Sequence, residues 1–308
     1  MAGRPVADVR RVAQGRGGHA HPILARPPRA RHTLGMAQSR PHVALVTGAS
    51  RGIGAAIARR LARHGAAVIP AARSRIHCID VAEAIEGEGG LAWPLELDVA
   101  EPERVGFALE EARALAKDVG PIDWLVNNAG IATSAPLVPK DVAAEELARA
   151  HMEVNFHGAR RLIEGLLPEM KSRGYGRIVN IGSSAGLRGY AYASSYCASK
   201  FALVGYTLAA ALELEGSGVT INAVCPHYVD SPMTDGSVAR IAEKTRRDPC
   251  EVRDFLAREN PGGRLVTCDE VAEAVLGLLA GDENGALVEL EGLPEPRIHR
   301  PNDRSRPA

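Results

Sequence analysis

Tyr196 and Lys200 are separated only by Cys197, Ala198 and Ser199, in a stretch whose composition is helical. Four residues is close to one helical turn, so the phenol and the ammonium share a face, with Cβ atoms roughly 5–6 Å apart. Such a lysine is either an idle surface neighbour or a cation that stabilises the phenolate and makes the hydroxyl more acidic. Without such help a tyrosine, with a pKa near ~10, is a poor base. A second stretch carries a different chemistry. TGASRGIG, residues 47–54, spaces Gly48, Gly52 and Gly54 as GxxxGxG. Side chains at those places would obstruct a phosphate approaching the backbone and would hold the next helix off the preceding strand. That helix would aim its free N–H groups and positive dipole end at a pyrophosphate. An ordinary tight turn is the competing reading.

The elements that must position these residues alternate strand and helix from residue 41 to 292. Residues 42–48 read as a buried strand. Residues 53–65 read as a helix, with Ile53, Ile57 and Leu61 on one face and Gly65 as its stop. A second strand is expected at 66–74, where Pro70 sits awkwardly. Further strands are expected at 91–99, 122–130, 176–184, 219–226 and 286–290. Helices are expected near 79–88, 101–118, 140–150, 154–172 and 195–215. Asp248 with Glu251, and Thr267 with Glu270, each have the spacing of a capping box at the start of a later helix. Seven strands joined by crossover helices predict an α/β fold, a doubly wound parallel sheet covered on both faces. No linker or repeat divides residues 41–292, so one domain is expected.

Composition narrows the function classes. The chain has 308 residues, 45% of them apolar, enough for a large core. Five scattered cysteines without CxxC spacing suggest reduced thiols in a cytoplasm, with no disulfide framework or zinc site. No apolar run approaches the roughly 18 residues of a membrane span. The net charge is zero, yet residues 1–40 hold eight arginines against Asp8 alone, leaving 29 basic and 36 acidic residues in the remainder. A folded part that is this acidic is a poor match for nucleic acid. Residues 1–40 read as a disordered basic extension, with an organelle-targeting segment or an over-long gene reading before Met36 as alternatives. His19, His21 and His32 share no face and are not read as metal ligands. Residues 293–308 read as a flexible tail.

The glycine turn, Asp98, NNAG (127–130), Asn155, Ser183 and Tyr196-x-x-x-Lys200 appear in the order and approximate spacing of the short-chain dehydrogenase/reductase family. The chain resembles that family over roughly residues 41–292, and within it the 3-oxoacyl-thioester ketoreductases. The resemblance implies a single Rossmann-like domain with a catalytic set of Asn155, Ser183, Tyr196 and Lys200. In the family, the tyrosine protonates the oxygen of a ketone as hydride reaches its carbon. The lysine also binds the nicotinamide ribose, and the serine hydrogen-bonds the substrate oxygen. Ser184 is the rival for the serine's place. Asn155 matches an asparagine that kinks a helix and holds a water linking the lysine to solvent; a plain helix N-cap is its other reading. The same resemblance assigns cofactor contacts to Gly48, Ser50, Arg51, Gly52, Ile53, Gly54, Asp98, Val99, Asn128, Ala129, Gly130, Tyr196, Lys200, Pro226, Val229 and Ser231.

At the end of the second strand, an NAD-binding relative would carry an acid toward the ribose hydroxyls. This chain has Ala72 followed by Arg73, with Arg51 as a second cation, which favours NADP over NAD. The chain departs from the family at Pro226-His227-Tyr228-Val229-Asp230-Ser231, where the family has Pro-Gly-x-Val-x-Thr. Ser231 keeps the hydroxyl. His227 replaces glycine, so either its side chain enters the substrate pocket or the loop shifts. Residues 232–260 correspond to a substrate lid whose Lys244, Arg246 and Arg247 are either a solvated face or a site for thioester phosphates. The expected activity is NADP-dependent interconversion of a ketone and a secondary alcohol, with a 3-oxoacyl thioester as leading substrate. Alternatives are an NAD-dependent hydroxyacyl or small-alcohol dehydrogenase, and a catalytically silent NADP-binding regulator. A homotetramer is expected by resemblance alone.

Overall fold

The computed structural model describes residues 40–137 and 143–300. Residues 1–39, with His19, His21 and His32, lie outside the described residues, as do residues 301–308. The elements run β1 (Val43–Thr47), α1 (Gly52–Arg63), β2 (Ala67–Ala72), α2 (Ile76–Gly87), β3 (Leu91–Ala92), β4 (Leu95–Glu96), α3 (Pro102–Ala116) and β5 (Ile122–Asn127). They continue through α4 (Ala143–Met152), α5 (Gly158–Arg173), β6 (Gly176–Ile181), α6 (Ser194–Glu213) and β7 (Val219–Pro226). The last are α7 (Pro232–Thr245), α8 (Pro249–Arg258), α9 (Cys268–Ala280), β8 (Leu287–Leu290) and β9 (Arg297–His299).

The sheet order is β3-β2-β1-β5-β6-β7-β8-β9, with β4 also pairing β2. The order reverses direction between β1 and β5, which opens a crevice at the carboxyl ends of those strands. Alternation along β1 divides the core in two. Val43 and Leu45 pack with Leu125, Leu162 and Leu166 on one face, while Ala44 and Val46 pack with Ile57, Leu61, Val275 and Leu279 on the other. Burying each of the larger aliphatic side chains contributes roughly 1.5–3 kcal/mol. This is the Rossmann-like, mostly parallel α/β arrangement expected from the sequence.

Three local expectations are corrected. The single strand expected at 91–99 is split around Trp93-Pro94 into β3 and β4. Pro70 lies inside β2 opposite this break: Val68 pairs with Ala92 and Ala71 with Leu95, leaving Ile69 and Pro70 facing the gap. The Ala67 N–H points to β1, where it meets the carbonyl of His42. By alternation, Pro70 turns its missing donor toward the gap, where no ladder bond is lost. Second, residues 297–299, expected as tail, form β9, antiparallel to β8. Ile298 packs against the core, and polar contacts flank it, from His299 to Glu289 at 3.1 Å and Arg297 to Glu291 at 3.4 Å; one apolar residue gives no periodicity to signal the strand. Third, Thr267 and Glu270 do form a reciprocal capping box, but only half of the other forms. Asp248 caps Cys250, while Glu251 pairs with Arg247.

Candidate active site

The Tyr-x-x-x-Lys stretch falls in the first two turns of α6, which packs against β7 and the turn after β6. Tyr196, Lys200 and Ser183 line one cavity of about 230 Å³, together with Ile53, Asn128, Gly130, Pro226, Val229 and Ser231. Ser183 occupies the end of the strand segment, just before a short 3-10 turn at Ser184–Gly186. Its Oγ accepts from the Ala185 N–H at 3.1 Å and its hydroxyl meets the Tyr196 phenol. Ser184, the rival, is buried and bound to the Tyr190 hydroxyl at 2.8 Å. The two serines thus have different partners, and Ser183, the one the spacing favours, is the one whose own hydroxyl contacts Tyr196 on the cavity.

Lys200 is buried beneath the tyrosine. Its Nζ donates to the Ile181 carbonyl at 2.8 Å and lies 6.0 Å from the Tyr196 ring centroid. The acidification of Tyr196 by Lys200 expected from their spacing is not what this structure has. Burial pushes the phenol up to about 12, against the partial relief of the Ser183 hydrogen bond. Burial also pushes the Lys200 ammonium down to about 8. Desolvation disfavours the charged form of each group, so it moves the two in opposite directions.

Between α4 and α5 the backbone widens into one π-helical turn, Glu153–His157, with Asn155 at its centre. The turn frees the Asn155 amide to reach sideways. Its Oδ1 accepts from the Ile131 N–H at 2.8 Å, and Nδ2 donates to the Ile131 carbonyl and to Ser199 Oγ, both at 3.0 Å. This is not an N-cap. It ties the strand-end loop to α6 beside Lys200, which faces the same glycine, Gly130.

The glycine turn is a cradle in the literal sense. Gly48 and Gly52 have φ of 62° and 55°, the left-handed region that side chains avoid. A Cβ on Gly54 would sit 2.3 Å from the Gly48 carbonyl oxygen. Asn128 braces the turn by donating to the carbonyls of Thr47 and Gly48 at 2.9 and 3.1 Å. Thr47, which sequence reading passed over, accepts from the N–H groups of Asn128 and Ala129 through its Oγ1, both at 3.0 Å. The first turn of α1 carries no acid, so its positive end is uncompensated.

From the cradle the crevice continues along the strand ends. The Ala49 N–H bonds the Ala71 carbonyl at 3.0 Å, and the Leu97 N–H bonds that of Ala72 at 2.8 Å. These bonds bring Ser50, Arg51, Arg73, Asp98 and Val99 to one side of the sheet end. Arg51 and Arg73 are exposed and have no hydrogen bond or ion pair to a described residue. Asp98 accepts from the Ala100 N–H at 3.0 Å, and buried Val99 packs where Gly158 leaves room. Left-handed glycines, a helix start without an acid and two guanidiniums without a described partner fit the phosphates of a dinucleotide.

A family model described as short chain dehydrogenase matches residues 42–241. The chain belongs to that family. It is 38% identical to cis-4-hydroxycyclohexanecarboxylate dehydrogenase of Sinomonas cyclohexanicum, covering 81% of this chain and 95% of that protein. It is also 38% identical to the 3-oxoacyl acyl-carrier-protein reductase of Pseudomonas aeruginosa strain PAO1, covering 81% of this chain and 96% of that protein. Among solved structures, a variant of actinorhodin polyketide ketoreductase with NADPH aligns at a TM-score of 0.74 and 35% identity. The match covers 82% of this chain and 97% of that one.

In this short-chain dehydrogenase His227, the departure from the family pattern, is itself among the residues that line the cavity. Pro226, Val229 and Ser231 still line the cavity, and the Ser231 hydroxyl caps no backbone group of α7. The imidazole is buried between a carboxylate and a guanidinium, with Nε2 2.9 Å from Glu289 Oε1 and Nδ1 3.1 Å from Arg188 Nη2. Arginine only donates, so Nδ1 is bare and the proton sits on Nε2, directed at Glu289. Glu289 and Glu291 could join His227 around a cation, but that proton already closes the His227–Glu289 contact. Both carboxylates are otherwise occupied, by His299 and Arg297. Glu289 was legible only as an odd acid in an apolar strand. Arg188 carried no signal at all.

Residues 232–260, expected as a lid, are flanked by a parallel bridge between Val229 and Val266 and place Met233, Thr234, Ser237, Ile241 and Leu256 on the cavity. Arg240 donates to the Ala132 carbonyl at 3.3 Å, fastening α7 to the loop after β5. Lys244, Arg246 and Arg247 are exposed and do not line the cavity. No helix among the described residues is long and apolar enough to cross a membrane.

Proposed function

We propose that this short-chain dehydrogenase is an NADP-dependent oxidoreductase that interconverts a ketone and a secondary alcohol, with Tyr196 as proton donor and acceptor. One observation carries the reading: Ser183, Tyr196 and Lys200 line a single cavity. NADPH, when bound, supplies the hydride. The Tyr196 hydroxyl, held protonated by burial, hands its proton to the substrate oxygen. Ser183 turns its hydroxyl to the same oxygen and stabilises the charge that develops there. Lys200, held by the Ile181 carbonyl, lines the same cavity and is left to bind the nicotinamide ribose, with Asn155 bracing the loop beside it.

The preference for NADP is supported by Arg73 and Arg51, both open at the adenosine end, and by Ala72 where an acid would select NAD. A 3-oxoacyl thioester is the second-level reading for the substrate, supported by relatives named as ketoacyl reductases. The lid cations that suggested it lie on the outer surface, where Arg247 pairs with Glu251 and stacks over Phe255. The test is a panel of ketones and acyl thioesters assayed with NADPH and NADH. Carbonyl-dependent oxidation of NADPH is expected. NADPH binding with no turnover of any ketone or alcohol would replace this reading with that of a silent cofactor-binding protein.

A further inference from the structure

We propose that Arg188 is the anchor for an anionic group on the substrate, so that the ketone or alcohol turned over is a carboxylate, and that the Glu289–His227 pair is the mount that orients it. The proposal rests on the ketone–alcohol reading for its chemistry and adds the class of substrate.

Arg188 lies in the turn after β6, five residues beyond Ser183. Its Nε donates to the Tyr190 hydroxyl at 3.0 Å and its Nη2 to His227 Nδ1 at 3.1 Å. Tyr190 and His227 both line the cavity that holds Ser183 and Tyr196. The exposed guanidinium is thus fixed on two residues that line the cavity. Of its five N–H groups, both on Nη1 and the second on Nη2 remain open among the described residues. No carboxylate of the described residues lies within ion-pair reach of it. The nearby acids are turned elsewhere, Glu289 to the two imidazoles of His227 and His299, and Glu291 to Arg297. A planar cation with an unused pair of donors matches the two oxygens of a carboxylate.

His227 has a purpose in this arrangement that glycine lacks. Glu289 accepts the Nε2–H hydrogen bond, which leaves the Nδ1 lone pair aimed at Arg188. A charged imidazole would repel the guanidinium; the neutral one holds it. Ser184 completes the mount by fixing Tyr190 from the other side at 2.8 Å. The rest of the wall is largely apolar, with Ile131, Ala132, Tyr228, Met233, Ile241 and Leu256. A short or cyclic carbon skeleton between a carbonyl and a carboxylate is the kind of substrate that such an apolar wall would hold.

The experiment compares levulinate and oxocyclohexanecarboxylate with their methyl esters, and with an acetoacetyl thioester, in the full-length enzyme with NADPH. The wild type is expected to favour each acid over its ester by about ten- to a hundredfold in kcat/KM, mainly through KM. Arg188→Gln should bring that ratio close to one, Arg188→Lys should retain part of it, and Glu289→Gln should lower it by misaligning the imidazole. Thermal shift by each acid in the presence of NADPH provides a readout independent of turnover. Stabilisation of the wild type but not of Arg188→Gln, without turnover, would keep the anchor and overturn the ketone reading. An acid-to-ester ratio near one in the wild type, or a ratio unmoved by Arg188→Gln, would overturn the anchor. A thioester preferred over both acids would do the same.

Discussion

The Lys200 ammonium donates a hydrogen bond to the main-chain carbonyl of Ile181 at 2.8 Å, not to the phenol one helical turn before it. Burial raises the Tyr196 pKa and Ser183 partly offsets it, so in the proposed reaction the hydroxyl would enter as an acid. Tyr196→Phe should lower ketone reduction by at least about a hundredfold. NADPH affinity, read by fluorescence titration, should fall little. Turnover close to wild type in this variant would remove Tyr196 from the chemistry.

The two adjacent serines should behave differently. Ser183→Ala removes the hydroxyl at the tyrosine and is expected to reduce kcat by about 10²–10³-fold. Ser184→Ala releases Tyr190, and its effect should fall on KM instead. Steady-state kinetics on both variants decides the assignment. Equal losses of kcat would undo it.

Lys200 should leave a signature in the stability of the protein without cofactor. Its folded pKa of about 8 lies below the ordinary value of 10.5. Between these values the unfolded chain binds the extra proton, so stability rises with pH across that window. The penalty for burying the ammonium is complete below about 8 and fades above it. Tyr196 acts in the opposite direction only from about 10 upward, since its folded pKa is raised to about 12. Urea unfolding from about pH 7 to about pH 10 should show the increase in the wild type and a weaker one in Lys200→Met. Identical slopes would show that Lys200 does not titrate in that range.

Cofactor choice is expected to rest on Arg73. Arg73→Ala should weaken NADPH by about ten- to a hundredfold while changing NADH little, because a charge-assisted contact to phosphate is lost from one ligand only. Isothermal titration with both cofactors measures this. Parallel losses would assign Arg73 to a contact both cofactors share.

Gly54→Ala tests the cradle. The added methyl group would lie 2.3 Å from the Gly48 oxygen and 2.5 Å from Asn128 Nδ2. Overpacking at such a site costs about 1–3 kcal/mol, and the turn must open to relieve it. A lower melting temperature together with lost NADPH binding is expected. Retention of both would mean the turn has slack that its geometry does not suggest.

Much of this protein was readable from residue order because its signals are local. Alternating apolar residues put Val43 and Leu45 on one face and Ala44 and Val46 on the other, and each strand–helix unit repeats that logic. The glycine turn and the Tyr196–Lys200 interval are set within single elements, where backbone geometry alone fixes which side chains share a face. Tertiary structure decided what depends on surroundings. It separated Ser183 from Ser184, turned Lys200 toward Ile181, and let burial rather than the neighbouring charge set the state of Tyr196. It also brought His227, Glu289 and Arg188 together from three distant segments. Desolvation and hydrogen-bond partnership belong to the space around a group, and no spacing along the chain encodes them.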